Sequence, residues 1–218
     1  VICQEVKKHH TITSLLIESR AEYINEEKIL YLKKKLGDKK MIMAIGLEAQ
    51  DDKIRNVYIK KGLAKIDYES AIKILKKNGV RVATYLLIKP IYLNEREAIN
   101  EAVKSAEYAF GAGSDEVLFE SSFIQKGTFM EKLYNENKFK PPWLWSIIKV
   151  VKKTHDLGSA RLGGFEDEPP PIAIPSNCDS CSERIRALMK QYRQTNNIKL
   201  FDNLYCSCKE EWKKVVKP

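Results

Sequence analysis

The first 123 residues alternate between two hydrophobic periods. Short, densely apolar runs at Leu15 to Glu18, Met41 to Leu47, Val80 to Ile88 and Glu116 to Phe119 predict strands. Between them apolar residues recur at helical spacing, at Ile29, Leu30, Leu32 and Leu36, and again at Tyr68, Ala71, Ile72 and Leu75. The punctuation agrees with this division. Asn25 is a helix N-cap with Glu26 and Glu27 at the positive end of the dipole, and Gly37 is a C-cap. Asn78-Gly79 closes the next helix, and Asn94 opens a third that runs through Ala109, with Gly111 and Gly113 after it. The near-continuous apolar run from Met41 to Leu47 predicts a strand buried on both faces. Strands alternating with helices predict parallel pairing and right-handed crossovers. Four such units make half of a TIM-type α/β barrel, which leads us to expect further strands before Val1 and a chain that is a processed product or a portion.

Beyond the block, Pro141-Pro142 starts a helix whose core side is Trp143, Leu144, Ile147, Ile148 and Val151. Both Trp143 and Trp145 are expected in the core. Arg161 to Gly164 predicts one more short strand, and Glu166 to Pro171 a stiff connector. This divides the chain into a partial barrel (1–164), a Pro-rich connector (165–174) and a small helical module (175–218). The module has too few apolar residues to fold comfortably alone, yet it holds four of the five cysteines. Cys178 and Cys181 form a C-x-x-C knuckle, and Cys206 and Cys208 a C-x-C pair after a helical insert. Two close pairs suit tetrahedral thiolate ligation, with zinc ahead of an iron–sulfur cluster, and the metal would supply the missing folding energy. Cys3 has no partner and is assigned no role. His9 and His10 are expected in a solvated polar helix, and His155 near a helix C-terminus.

Composition adds little to the fold and something to the partner. An apolar content of 44% is ordinary for a globular protein. No signal peptide or membrane-length apolar run occurs, so a cytoplasmic protein without membrane contact is expected. A net charge of +9 and a pI near 9.2 fit either a polyanionic partner or a surface rich in Lys and Glu. Lys149, Lys152, Lys153, Arg186, Lys190, Lys209, Lys213 and Lys214 make the C-terminal part a candidate face for nucleic acid.

The predicted strands end in polar residues, and in parallel α/β folds ligands bind at those ends. Glu18 and Arg20 offer an acceptor and a cation there. Glu48 follows Gly46, which permits close backbone approach, and Lys60-Lys61-Gly62 could meet a carboxylate as a point charge. The plain alternative is a structural Glu18–Arg20 ion pair and solvated lysines.

Several stretches resemble a known superfamily. Leu16 to Ile24, Ile45-Gly46-Leu47-Glu48 and Lys61-Gly62 look like later barrel strands of radical S-adenosylmethionine enzymes, especially the Elongator-like, tRNA-modifying group. Tyr85 to Pro90, Gln125 to Thr128, the PPWLWS stretch at 141–146 and the IAIPSNC stretch at 172–178 resemble its archaeal archaeosine-biosynthesis branch. The resemblance implies the later half of a radical S-adenosylmethionine barrel. It implies that Glu18, Arg20, Glu48 and Lys61 contact S-adenosylmethionine, although relatives often place an arginine near the position of Lys61. It also implies a [4Fe–4S] cluster, whose CxxxCxxC ligands do not occur in this sequence and are expected outside it. Cys178 and Cys181 have the wrong spacing and position to replace them. The implied reaction is radical cleavage of a carbon–nitrogen bond in a lysine-bearing 7-deazaguanine of tRNA, with a partner protein that attaches the lysine. Other radical reactions on the scaffold and a non-catalytic module that holds tRNA or a partner are the alternatives. No catalytic residue is assigned.

Overall fold

The computed structural model describes residues 1–217. Five strands form one parallel sheet in simple sequential order: β1 (Ser14–Ser19), β2 (Lys40–Glu48), β3 (Arg81–Ile88), β4 (Glu116–Ser121) and β5 (Ser159–Leu162). Sequential parallel order is the growth pattern of a (β/α) barrel, and five strands make an open half barrel. The helices are α1 (Ile2–Lys8), α2 (Glu26–Leu36), α3 (Lys65–Lys77), α4 (Glu95–Ala112), α5 (Phe129–Asn135), α6 (Leu144–Thr154), α7 (Ser182–Thr195) and α8 (Cys208–Val216).

The expected caps form. The Asn25 side chain accepts a hydrogen bond from Lys28 N–H at the start of α2, and Gly37 ends that helix at φ 73°. Asn94 and Glu97 close a reciprocal capping box on α4. That helix runs past the expected Ala109, through Gly111, to a left-handed Gly113.

The sheet has two unlike faces. Met43, Ile45 and Leu47 on β2, Val82 and Leu86 on β3, and Val117 and Phe119 on β4 are buried under the helices. Ile42, Gly46 and Glu48 on β2 are only half-buried. The strand expected to be buried on both faces is therefore sealed on the helix side and partly open on the other, because the concave side of the half barrel faces a cavity.

Other expectations shift. α1 stops at Lys8, so His9 and His10 lie just beyond it, exposed, with His9 extended. Leu30 is 52% exposed, because α2 meets its neighbours through Ile29, Leu32 and Leu36. β5 begins at Ser159, ahead of the expected Arg161, since its register is set by pairing Ser159 with Glu116 and Leu162 with Phe119. His155 is the C-cap of α6, as expected. Trp145 is buried and Trp143 half-buried.

The C-terminal segment joins the core of the sheet domain: Cys181, Ile185, Met189, Tyr192, Phe201, Cys208 and Trp212 pack in the same apolar cluster as the sheet. The Tyr192 hydroxyl donates to Ala160 O on β5 at 2.6 Å, and Trp212 Nε1–H donates to Ser146 Oγ on α6 at 2.8 Å.

Two substitutions separate local from tertiary stabilisation. Asn25→Ala removes one cap and should cost about 1 kcal/mol. Phe119→Ala empties a core site and should cost about 3–5 kcal/mol. Denaturant titration that gives equal losses would contradict this placement.

Candidate cofactor pocket and four-thiol site

The carboxyl ends of β1 to β4 surround a cavity of about 770 Å³. Its lining includes Glu18, Arg20, Glu48 and Lys61, so all four residues singled out from sequence meet in one place. Tyr85, Glu120 and Asp167 complete the wall, and none of these three was singled out as a site residue.

Local geometry explains the convergence. Glu18 on β1 pairs in register with Ala44 on β2, and Gly46 on β2 pairs with Tyr85 on β3. Ala44 and Gly46 carry almost no side chain, so Tyr85 reaches across β2 and donates its hydroxyl to Glu18 Oε1 at 2.7 Å. Burial, and then the hydrogen bond to Glu18, raise the Tyr85 phenol well above its ordinary range, keeping it a donor.

The register shifts between Gly46 and Glu48, and Glu48 sits at φ 66° in the left-handed region. This bulge turns Glu48 back over Gly46, where its Oε1 meets Lys61 Nζ at 2.7 Å. Any side chain at position 46 would collide with both partners.

Lys61 arrives on an excursion between β2 and α3 that is held from inside by Arg55. This arginine is fully buried in a π-helical turn, Ile54–Tyr58. It donates Nε to Leu63 O at 2.8 Å and Nη1 to Ala49 O and Gln50 O at 3.0 Å each, and pairs with Asp52. One guanidinium thereby pins both ends of the loop, a role with no signal in the local sequence.

The Glu18–Arg20 ion pair weighed as the plain alternative does not form. Arg20 pairs with Glu22 at 2.6 Å and donates to Lys61 O at 2.8 Å. Glu120 stands at the end of β4 against Gly163, where a side chain would overlap its carboxylate. Burial first, and then the Asp167, Glu48 and Glu18 carboxylates, push the Glu120 acid up to about 7.

The second site lies in the C-terminal segment. The Sγ atoms of Cys178, Cys181, Cys206 and Cys208 all fall within 4.8 Å of one another. Neighbouring separations are 3.5 Å (178–206), 3.6 Å (181–208) and 3.7 Å (178–181), far beyond a disulfide bond, and all four are free thiols. Cys181 precedes α7 and Cys208 opens α8, so two helix starts present the set. Trp145 Nε1–H donates to Cys208 Sγ at 3.4 Å, and Asn177 Nδ2–H to Cys181 Sγ at 3.6 Å. Burial raises the Cys181 and Cys208 thiols, while hydrogen bonding, led by that with Cys206, lowers Cys178 to about 6. The group has the chemistry and convergence to hold a metal ion.

No family model matches the chain. It is 32% identical over 220 residues to archaeosine synthase subunit beta of Methanosarcina acetivorans, covering 99% of this chain and 62% of that protein. It is 31% identical over 211 residues to archaeosine synthase subunit beta of Thermococcus kodakarensis, covering 94% and 64%. The chain is similar to the archaeosine synthase beta subunits over nearly its whole length. It spans less than two thirds of their length. Among solved structures, Elp3 of the archaeon Methanocaldococcus infernus, with its N-terminus deleted, superposes with a TM-score of 0.64 at 19% identity, over 89% of this chain and 45% of that one. The Elongator-like half barrel and the archaeosine-related resemblance drawn from residues 141–146 and 172–178 are thus borne out. No helix among the described residues is long and apolar enough to cross a membrane.

Ionisation of Glu120 opposes folding. Its folded-state pKa is raised from the ordinary 4.5 to about 7, so its contribution to stability is present below about 4.5 and lost as pH rises through about 7. A carboxyl resonance titrating near 7, absent in Glu120→Gln, is expected by NMR; a midpoint near 4.5 would refute the assigned environment.

Proposed function

We propose that the chain is the S-adenosylmethionine-holding part of a radical tRNA-modifying enzyme of archaeosine synthesis. The observation that carries this is the meeting of Glu18, Arg20, Glu48 and Lys61 at one cavity on the carboxyl edge of the sheet, in a relative of archaeosine synthase subunit beta. Glu48 would accept hydrogen bonds from the ligand's amino group. Lys61, a point charge already beside Glu48, would meet its carboxylate, with Arg20 next to it. Glu18, oriented by the Tyr85 hydroxyl, would accept from the ribose.

Bound S-adenosylmethionine, with a [4Fe–4S] cluster to reduce it, supplies hydrogen-atom abstraction. The cluster's ligands are not this chain's cysteines, because Cys3 lies buried on α1 and the other four form their own group, so they would come from outside the chain. The substrate on this reading is tRNA bearing a lysine-modified 7-deazaguanine, cleaved at a carbon–nitrogen bond, and a lysine-transferring protein is the partner.

The four thiols fit a single ion better than a cluster. A tetrahedron with about 2.3 Å from centre to vertex has edges of about 3.8 Å, close to the 3.5–3.7 Å separations. A [4Fe–4S] cluster gives each thiolate a different iron and needs a wider set. Zinc is the ion we assign, in a role of holding α7 and α8 against α6.

The alternative is a non-catalytic module that holds tRNA or a partner. Calorimetric titration with S-adenosylmethionine separates the two. We expect binding that weakens about tenfold or more in Arg20→Ala and Lys61→Ala, about 1.4 kcal/mol each; a chain that binds no S-adenosylmethionine supports the module.

Metal analysis of the purified chain should find about one zinc and no visible iron–sulfur absorbance, and Cys181→Ser should lower both zinc content and thermal stability. A folded, metal-free protein would remove the zinc assignment.

A further inference from the structure

The C-terminal lysines and arginine marked from sequence are largely engaged. Lys152, Arg186, Lys190 and Lys213 pair with carboxylates, and Lys149 and Lys209 lie over the Trp212 and Trp145 rings. Those two indoles are themselves buried and offer no stacking face.

A different surface combines cations with accessible aromatics. A groove of about 690 Å³ runs between the turn after β3, the segment after α5, the start of α6 and the approach to Cys178. Its floor is rigid and electrically satisfied. Lys89, left-handed at φ 60° and 8% exposed, places Nζ 2.5 Å from Glu95 Oε1 and 5.5 Å from the Phe139 ring centroid. Glu95 also accepts the Trp143 N–H and the Ser146 hydroxyl. The buried acid is thus neutralised from within, and the rim charge is left to exposed Lys140, since Lys138, also exposed, pairs with Glu136 at 2.8 Å.

The aromatic element is Tyr92, 56% exposed and left-handed at φ 71°. Tyr58 props it edge-on, with centroids 5.0 Å apart at 67°. Half-buried Tyr134 and Trp143 line the groove as well, and exposed Asn137 and Ser176 add hydrogen-bonding groups. A basic rim around aromatic platforms is how single-stranded nucleic acid is held, bases stacking while lysines meet phosphates. The volume suffices for a nucleotide. An acidic peptide would use the lysines but leave the aromatic faces idle.

We propose that this groove binds a single-stranded stretch of RNA, with a nucleobase stacked on Tyr92 and a phosphate at Lys140. The proposal deepens, and rests on, the tRNA-modifying reading. β3 carries Tyr85 of the cofactor pocket and runs directly into Lys89 of the groove floor, which places the two sites along the carboxyl edge of the sheet.

The test uses a short unstructured RNA carrying 4-thiouridine, read by fluorescence anisotropy and by photocrosslinking to the full chain. Tyr92→Ala and Lys140→Glu should each weaken binding about tenfold at about 50 mM salt. Lys153→Glu and Lys214→Glu, on the C-terminal basic face, should shift it less than about twofold. Crosslinks on the unaltered chain should fall within 89–94 or 134–143. Unchanged affinity in the groove variants, crosslinks confined to 149–214, absence of RNA binding, or displacement by poly-glutamate as effective as by RNA would each overturn the proposal. S-adenosylmethionine titration of the same variants separates the two readings: RNA binding in the groove without S-adenosylmethionine binding sinks the enzyme and leaves the groove standing, whereas the reverse sinks the groove alone.

Discussion

The carboxylate of Glu95 is the junction at which the sheet, its covering helices and the cysteine-bearing tail are joined. It takes the Lys89 ammonium from the end of β3, stands in the first turn of α4, and accepts the N–H of Trp143 and the hydroxyl of Ser146 at the start of α6. Ser146 Oγ in turn accepts Trp212 Nε1–H from α8. Two helix starts direct positive potential at this buried acid, which with Lys89 offsets the cost of desolvating it. A buried pair of this kind adds little net stability over apolar packing, but losing one partner strands the other charge. It therefore enforces a single way of docking these elements. Trp145, one residue before Ser146, reaches the thiol group, so the four-thiol geometry and the strand edge share one support.

The chemistry of the pocket follows from the two faces of the sheet. Apolar residues on the helix side seal the core and free the other side to carry what the cavity needs. Ala44 and Gly46 leave β2 nearly bare, and this lets a tyrosine from one neighbouring strand meet a glutamate from the other. The bulge at Glu48 spends regular pairing to re-aim a carboxylate, and buried Arg55 replaces a hydrophobic anchor for the loop that brings Lys61. A chain of net charge +9 thus holds an acid-rich cavity in which Glu120 is crowded enough to resist ionisation.

Much of the fold was legible in the residues because its signals are local. The strands at 14–19, 40–48, 81–88 and 116–121, and the caps at Asn25 and Asn94, follow from apolar periodicity and backbone hydrogen bonding among neighbours. Of the pocket, Glu18, Arg20, Glu48 and Lys61 were legible as polar residues at strand ends or beside glycine, and the four cysteines as two close pairs. Tyr85 and Arg55 were not. Tyr85 looks like one more residue of a β-rich run, and Arg55 like a surface cation, and each owes its role to partners brought near only by folding. Leu30 erred the other way, apolar at a helical spacing but facing solvent, since periodicity locates a stripe and not its width.

By itself, the sequence determined the order of elements, their parallel pairing and the residues able to carry charge or bind metal. These depend on side chains within a turn or a strand of one another. Only the tertiary structure decided who meets whom: Glu18 with Tyr85 rather than Arg20, Lys61 with Glu48, Glu95 with Lys89 and Ser146, and the thiols with Trp145 and Asn177. Those choices are set by strand register, by a bulge and by which side chains are small enough to let others pass, and such relations exist only once distant segments lie side by side.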